Sequence, residues 1–151
     1  MTVALPRFGG LQRARLETSA RRLAALVRYI GGEAAFKSHL YRLHYDLDAQ
    51  TYWVSVLAEA AGKAEFTDDT DPLMQLVELP ATITFADVRV PGIGQVSRGQ
   101  VYTHFYPQGY TDPTVIHLRD KDARVMTISI PPLTGEVGMY EGRVNGFSDA
   151  H

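Results

Sequence analysis

Five histidines, at positions 39, 44, 104, 117 and 151, are the side chains best suited to metal ligation or proton transfer in this 151-residue chain. None stands at the spacing that would put it beside an acidic or second histidine ligand on one helix face, so the sequence carries no zinc-type pattern. His104 and His117 sit at alternating positions of strand-like stretches and are expected on the solvent side or on a sheet face. Asp68, Asp69 and Asp71 supply oxygens of the kind that bind calcium. Their segment nevertheless lacks the spaced acidic and glycine positions and the closing Glu of a calcium loop, and reads as a solvated charge run. Gly92 and Gly94 in PGIG look like half of a phosphate-binding turn, but no helix follows to present its N-terminus. No GxSxG elbow occurs, and the serines have no local relation to the histidines. With no cysteine, thiol nucleophiles, disulfides and cysteine metal sites are excluded. The expectation is a protein with no catalytic residue, no metal and no cofactor, hence not an enzyme.

The composition is that of one folded domain, with 45% hydrophobic and 21% charged residues. A formal net charge of -2 offers no cationic excess for a phosphate backbone, so nucleic acid is not an expected partner. No stretch approaches the roughly 20 apolar residues that cross a bilayer. The N-terminus lacks the basic and then apolar regions of a signal peptide, and the chain as it stands reads as soluble.

The first organised element runs from about Arg13 to Ser38, where Leu16, Ala20, Leu23, Val27, Ile30 and Ala34 recur at steps of four and three. That spacing predicts one apolar helical stripe facing a core, with Leu16, Ala20, Leu23, Val27 and Ile30 as its core face. Arg13, Arg15, Arg21, Arg22 and Arg28 lie mostly off the stripe. Gly31 and Gly32 each cost about 1 kcal/mol relative to Ala, which predicts a bend or an early end there, with helix resuming through Glu33 to Lys37. After Ser38 the period becomes two. Tyr41, Leu43, Tyr45 and Leu47 predict a half-buried strand, and Tyr52 to Leu57 a second one paired antiparallel with it. The segment from Ala58 to Pro72 reads as a surface loop. Ile83 and Phe85, then Val88 and Val90, slip by one residue near Asp87, which predicts a bulge. Pro91, Gly92 and Gly94 break the chain before a strand over Val101 to Tyr106. Ile116 and Leu118, the turn Asp120 to Ala123, and Met126, Ile128 and Ile130 make the clearest hairpin. One N-terminal helix followed only by strands is an α+β layout, with the helix lying on antiparallel sheet.

Beyond this layout, three stretches carry a family resemblance. VALPRFGGLQRARLETSARRLAALVRYIGGEAAF, with Pro6, is similar to the stretch in which type IV pilin-like helices leave the membrane. FYPQGY, Phe105 to Tyr110, and ISIPPLTGEV, Ile128 to Val137, resemble the closing strands and the PLTG turn of the H-type minor pseudopilins of type II secretion. Within PLTG, Gly135 supplies a backbone conformation that other residues resist and Thr134 can bond local backbone, so the turn marks a fold and not an active site.

The resemblance implies a pilin-like fold, with residues 1-12 a remnant of the membrane-helix exit and 13-151 a single periplasmic domain. The peptidase-recognition motif and most of the apolar helix that the family carries are missing before Met1, which reads as a truncated soluble form. The family pattern implies an inner-membrane anchor, cleavage and methylation by a prepilin peptidase, and assembly with other major and minor pseudopilins in a fibre that supports export of folded proteins. The helix side opposite the core face, Thr18, Arg21, Ala25 and Arg28, is the expected partner interface. A minor pilin of a type IV pilus is the alternative with the same fold, and a free ligand-binding α+β domain is a further one.

Overall fold

The computed structural model describes residues 5–133 and 136–145. Among the described residues one helix, α1 (Leu5–Lys37), precedes ten strands: β1 (Tyr41–Asp46), β2 (Thr51–Ala60), β3 (Lys63–Asp68), β4 (Val77–Glu78), β5 (Ile83–Val90), β6 (Gly94–Val96), β7 (Gln100–Phe105), β8 (Thr114–Asp120), β9 (Val125–Ile130) and β10 (Gly138–Glu141). A single 3-10 turn, Pro72–Met74, lies between β3 and β4. The architecture is α+β. All strand pairs are antiparallel, in one sheet ordered β3-β2-β1-β7, with β4 also on β2, and a second ordered β10-β9-β8-β5-β6.

The helix forms where its stripe can be buried. Leu16, Ala20, Leu23, Val27, Ile30 and Ala34 are each no more than 2% exposed, and α1 lies chiefly on β8 and β9. The helix does not end early at Gly31 and Gly32, and it covers the expected stretch from Glu33 to Lys37. Helix continues to Lys37 because Ile30, Gly31 and Ala34 are buried, and that packing outweighs the backbone entropy of two glycines. The real stop is Ser38, which takes a left-handed φ of 55°, while the His39 N–H donates to the Ala34 carbonyl at 3.2 Å. This is the hydrogen-bond pattern of a Schellman cap with serine in the usual glycine place.

The predicted pairing of β1 with β2 is present, in the register Leu43 opposite Val54. The predicted slip is a β-bulge between Phe85 and Asp87. The Gln50 side chain reaches across from the β1–β2 turn to accept from the Phe85 N–H at 2.6 Å beside that bulge. The hairpin of β8 and β9 turns at Asp120, whose Oδ1 accepts from the N–H groups of Asp122 and Arg124.

Two readings are corrected. The stretch from Ala58 to Pro72 is not all loop. Strand β2 continues to Ala60, the positive-φ pair Ala61 and Gly62 turns the chain, and β3 pairs back along β2. Positive φ at both turn residues matches the twist of a two-residue hairpin. Gly94, expected as part of a break, begins the short edge strand β6.

The two sheets share a core in which Phe85 meets Tyr45 and Tyr52 edge-on, at ring separations of 5.8 and 6.2 Å. A buried polar seam also crosses it. Tyr45 Oη lies 3.0 Å from Thr103 Oγ1, which lies 2.9 Å from Thr114 Oγ1, and the Thr114 hydroxyl donates to the Asp112 carbonyl at 2.9 Å. Because that last acceptor is a carbonyl, the protons run one way, from Tyr45 through Thr103 and Thr114 to Asp112. Burial pushes the Tyr45 phenol well above its ordinary pKa, which keeps it a donor.

Candidate functional site

The side of α1 turned away from the core is exposed to solvent from Leu11 to Gly32. Leu11, Thr18, Ala25 and Gly32 recur every seven residues along it and all four are exposed. A seven-residue spacing keeps them near one line on the helix surface. Arginines flank the line on both sides, Arg15 and Arg22 on one, Arg21 and Arg28 on the other.

Of the four residues expected at an interface, Thr18, Arg21, Ala25 and Arg28 are all exposed, but the two arginines are engaged at home. Arg21 pairs with Glu17 one turn earlier at 3.3 Å, an exposed contact of small energetic value. Arg28 Nη2 donates to the Val137 carbonyl at 3.1 Å. Arg15 and Arg22 have no hydrogen-bond or ion-pair partner among the described residues. The five residues expected on the core face, Leu16, Ala20, Leu23, Val27 and Ile30, lie in the main hydrophobic cluster.

Beside this helix face runs a groove of about 430 Å³. One wall is two turns of α1, with Arg22, Ala25, Leu26 and Tyr29, and the other is the segment from Pro72 to Val77. Leu73 and Leu76 stand on that second wall 62% and 55% exposed. The far wall is tied to the helix by Tyr29, whose hydroxyl donates to Asp71 Oδ2 at 2.5 Å. That bond raises the Tyr29 pKa to about 12 and holds the Asp71 carboxyl below its ordinary range. Asp71 also caps the 3-10 turn by accepting from the Leu73 N–H at 2.9 Å, and Asp69 accepts from the Asp71 N–H at 2.7 Å. Two of the three aspartates in the acidic run thus organise the groove wall. Sequence reasoning missed this wall, although PLMQLV puts two leucines in a segment with no strand or helix period to bury them.

The outer face of the first sheet holds most of the histidine chemistry. His44 stacks on Trp53 at 4.9 Å with the rings 1° from parallel. Its Nε2 lies 2.7 Å from Ser55 Oγ, a spacing compatible with a nucleophile and its base. Ser55, however, is only 3% exposed beneath that ring, so its hydroxyl is closed to a substrate. The Arg42 guanidinium lies 3.6 Å from the centroid of the Phe66 ring and 4.4 Å from that of Tyr102. It also donates to His104 Nε2 at 3.0 Å, while His104 Nδ1 lies 2.9 Å from Asp112. These groups satisfy one another and form a stacked cover over a sheet face that carries no helix.

His117 takes the second of its two expected places, a sheet face, and there it is 2% exposed because β8 is covered on both faces. Its Nδ1 lies 2.6 Å from Asp87 Oδ1 and its Nε2 2.9 Å from the Val144 carbonyl. Arg143 donates to Asp87 Oδ2 at 2.9 Å, and Thr127 binds both Gly142 and Val144. The cluster clamps the segment after β10 against the second sheet. His104 is half-buried, and His39 is exposed at the helix end. His151, Thr134 and Gly135 lie outside the described residues. Among the described residues no group of three or more His, Asp or Glu side chains is arranged to hold a metal ion, and no helix is long and apolar enough to cross a membrane.

No family model and no curated protein matches the sequence. Solved structures do match. The chain is similar to the minor pseudopilin EpsH from the type 2 secretion system of Vibrio cholerae, with a TM-score of 0.66 and 13% identity, over 84% of this chain and 97% of that one. A crystal structure of EpsH gives a TM-score of 0.65 at 12% identity, over 84% and 96%. The solution structure of E. coli GspH gives 0.63 at 9% identity, over 86% and 90%. The likeness spans nearly the whole of those chains and establishes that this chain has their fold.

Proposed function

We propose that the chain is a structural, non-catalytic subunit of a secretion pseudopilus, a minor pseudopilin that assembles with other pseudopilins to support export of folded proteins. The observation that carries this reading is the outer face of α1. A helix of 33 residues buries one side and leaves Leu11, Thr18, Ala25 and Gly32 in line and uncovered, with Phe36 84% exposed near its end. An exposed apolar and small-residue stripe on a helix is a surface on which another helix can pack closely. The fold shared with EpsH and GspH supports the same reading, and the closed Ser55 hydroxyl supports a role other than catalysis.

In this reading Thr18 and Ala25 lie at the centre of the interface, with Arg21 and Arg28 at its margin. The test is a photocrosslinking side chain at position 18 in cells that carry the complete secretion machinery. The expected product joins this chain to another pseudopilin, and Thr18→Glu with Arg21→Glu is expected to reduce both that product and secretion while the isolated protein keeps its fold. Normal crosslinking and normal secretion in the double variant would remove the helix face from the assembly.

A further inference from the structure

The charge of this molecule is strongly segregated. Helix α1 holds seven basic and two acidic residues of the chain's 15 and 17, which leaves eight basic and 15 acidic residues in the remainder. The helix therefore carries a formal +5 and the remainder -7. A second copy offering its own helix would meet like charge along the whole contact, which works against symmetric helix-to-helix pairing. A partner surface for this face must bring carboxylates.

The groove between α1 and the 72–77 segment says what else the partner must bring. Ala25, Leu26 and Tyr29 on one side and Leu73, Leu76 and Val77 on the other form an apolar trough open to solvent. Arg22 stands on the trough without a hydrogen-bond or ion-pair partner among the described residues, and Arg15, likewise unpaired, lies two turns before it on the same side of α1. Two turns of α1 span about 11 Å, the length over which a docked helix presents apolar anchors at i, i+3 or i+4, and i+7. Ala25, at the centre of the helix wall, is small enough for close approach. A guanidinium beside an apolar trough suits a carboxylate placed next to apolar anchors, because Arg pairs with carboxylates in fixed fork geometry.

From these observations we infer that the groove is a docking site for an amphipathic helix of another chain, with apolar side chains seated between α1 and the 72–77 segment and carboxylates meeting Arg22 and Arg15. The inference rests on the reading of the outer helix face as an interface, and it assigns that interface a second wall and a partner chemistry. Tyr29 and Asp71 act as positioning residues, since their hydrogen bond sets the width of the groove.

The experiment uses two labelled synthetic helices of about 20 residues with the same leucine stripe, one flanked by Glu and one by Lys, titrated with the intact chain and read by fluorescence anisotropy. The Glu helix is expected to bind at least tenfold more tightly than the Lys helix, with the difference shrinking at high salt. Arg22→Glu is expected to abolish the preference, and Ala25→Trp, which fills the trough from an exposed position, to weaken the Glu helix tenfold or more. Circular dichroism and thermal melting establish that each variant is folded. Should Ala25→Trp unfold the chain, Leu76→Lys replaces it with the same expected loss. Equal binding of the two helices, or unaltered binding to folded groove variants, would overturn the inference. So would concentration-dependent self-association that both helices displace equally, since the occupant would then be a second copy. The crosslink from position 18 separates this outcome from the wider reading: a crosslink that persists in groove variants leaves the helix face as interface and removes the groove alone.

Discussion

Single side chains in this protein act by satisfying partners far away in the chain. Thr103 is the middle of the buried hydroxyl relay between the two sheets, so Thr103→Val strands the Tyr45 proton without an acceptor. The expected loss is about 1 to 3 kcal/mol in reversible denaturation, and a loss within error would mean that Tyr45 has another acceptor. Tyr29 and Asp71 make a pH-dependent link between helix and groove wall. The hydrogen bond lowers the folded-state pKa of Asp71, so its contribution is fully present above a pH of about 4 and is lost as the pH falls through the lowered value. On the alkaline side the Tyr29 pKa is raised to about 12, so the link is complete below a pH of about 10 and is lost as the pH rises through the folded value. In Tyr29→Phe the Asp71 carboxyl, followed by NMR, is expected to titrate nearer its ordinary value. An unmoved titration would assign the lowering to the Leu73 N–H and the Lys37 charge instead.

Among the elements, α1 has two sides with opposite demands. Leu23 is fully buried on its core face, and Leu23→Ala is expected to cost about 2 to 5 kcal/mol, as for other buried leucines. A cost below about 1 kcal/mol in a denaturant titration would show that the surrounding core collapses into the space left by the leucine. On the other side, Gly32 is helical and exposed, and a Cβ added there meets nothing within 4 Å. Gly32→Ala is therefore expected to stabilise the isolated domain by about 1 kcal/mol, raising its melting midpoint by several degrees. An unchanged or lowered midpoint would point to a bend at this position in solution. The groove wall depends on the 3-10 turn, which the Asp71 cap and the Asp69 bond hold in place.

For the molecule as a whole, the acidic run makes metal dependence the sharpest question. Asp69 and Asp71 are already committed to backbone N–H groups and to Tyr29. Thorough chelation is therefore expected to leave the melting midpoint where it was, and a fall of many degrees reversed by calcium would restore the run as a cation site. The charge segregation between helix and remainder acts at this scale too. A nearly neutral total of -2 hides a basic face and an acidic body, and screening by salt is expected to weaken contacts made by either.

The features legible in the sequence are those set by local period. The stripe from Leu16 to Ala34, the alternation of Tyr41, Leu43 and Tyr45, the slip at Asp87 and the hairpin around Asp120 each follow from residues within a few positions of one another. Such periods are local because they reflect 3.6 or two residues per repeat of the backbone itself. The strands that escaped, β3, β4, β6 and β10, are short or polar, so they carry no apolar alternation, and they form by pairing with β2, β5 and β9. Helix from Glu33 to Lys37 was legible because Ala34 keeps the stripe, whereas the unbroken passage through Gly31 and Gly32 was decided by burial, which no local propensity encodes. The same reason accounts for the sites. The core face of the helix was readable, whereas the burial of His117 against Asp87, the clamp formed by Arg143 and Val144, and the groove between Tyr29 and Leu76 join segments 26 to 56 positions apart. Sequence determined which face of each element is apolar, and tertiary structure alone decided which polar groups those faces bring together, because that depends on how the elements are stacked.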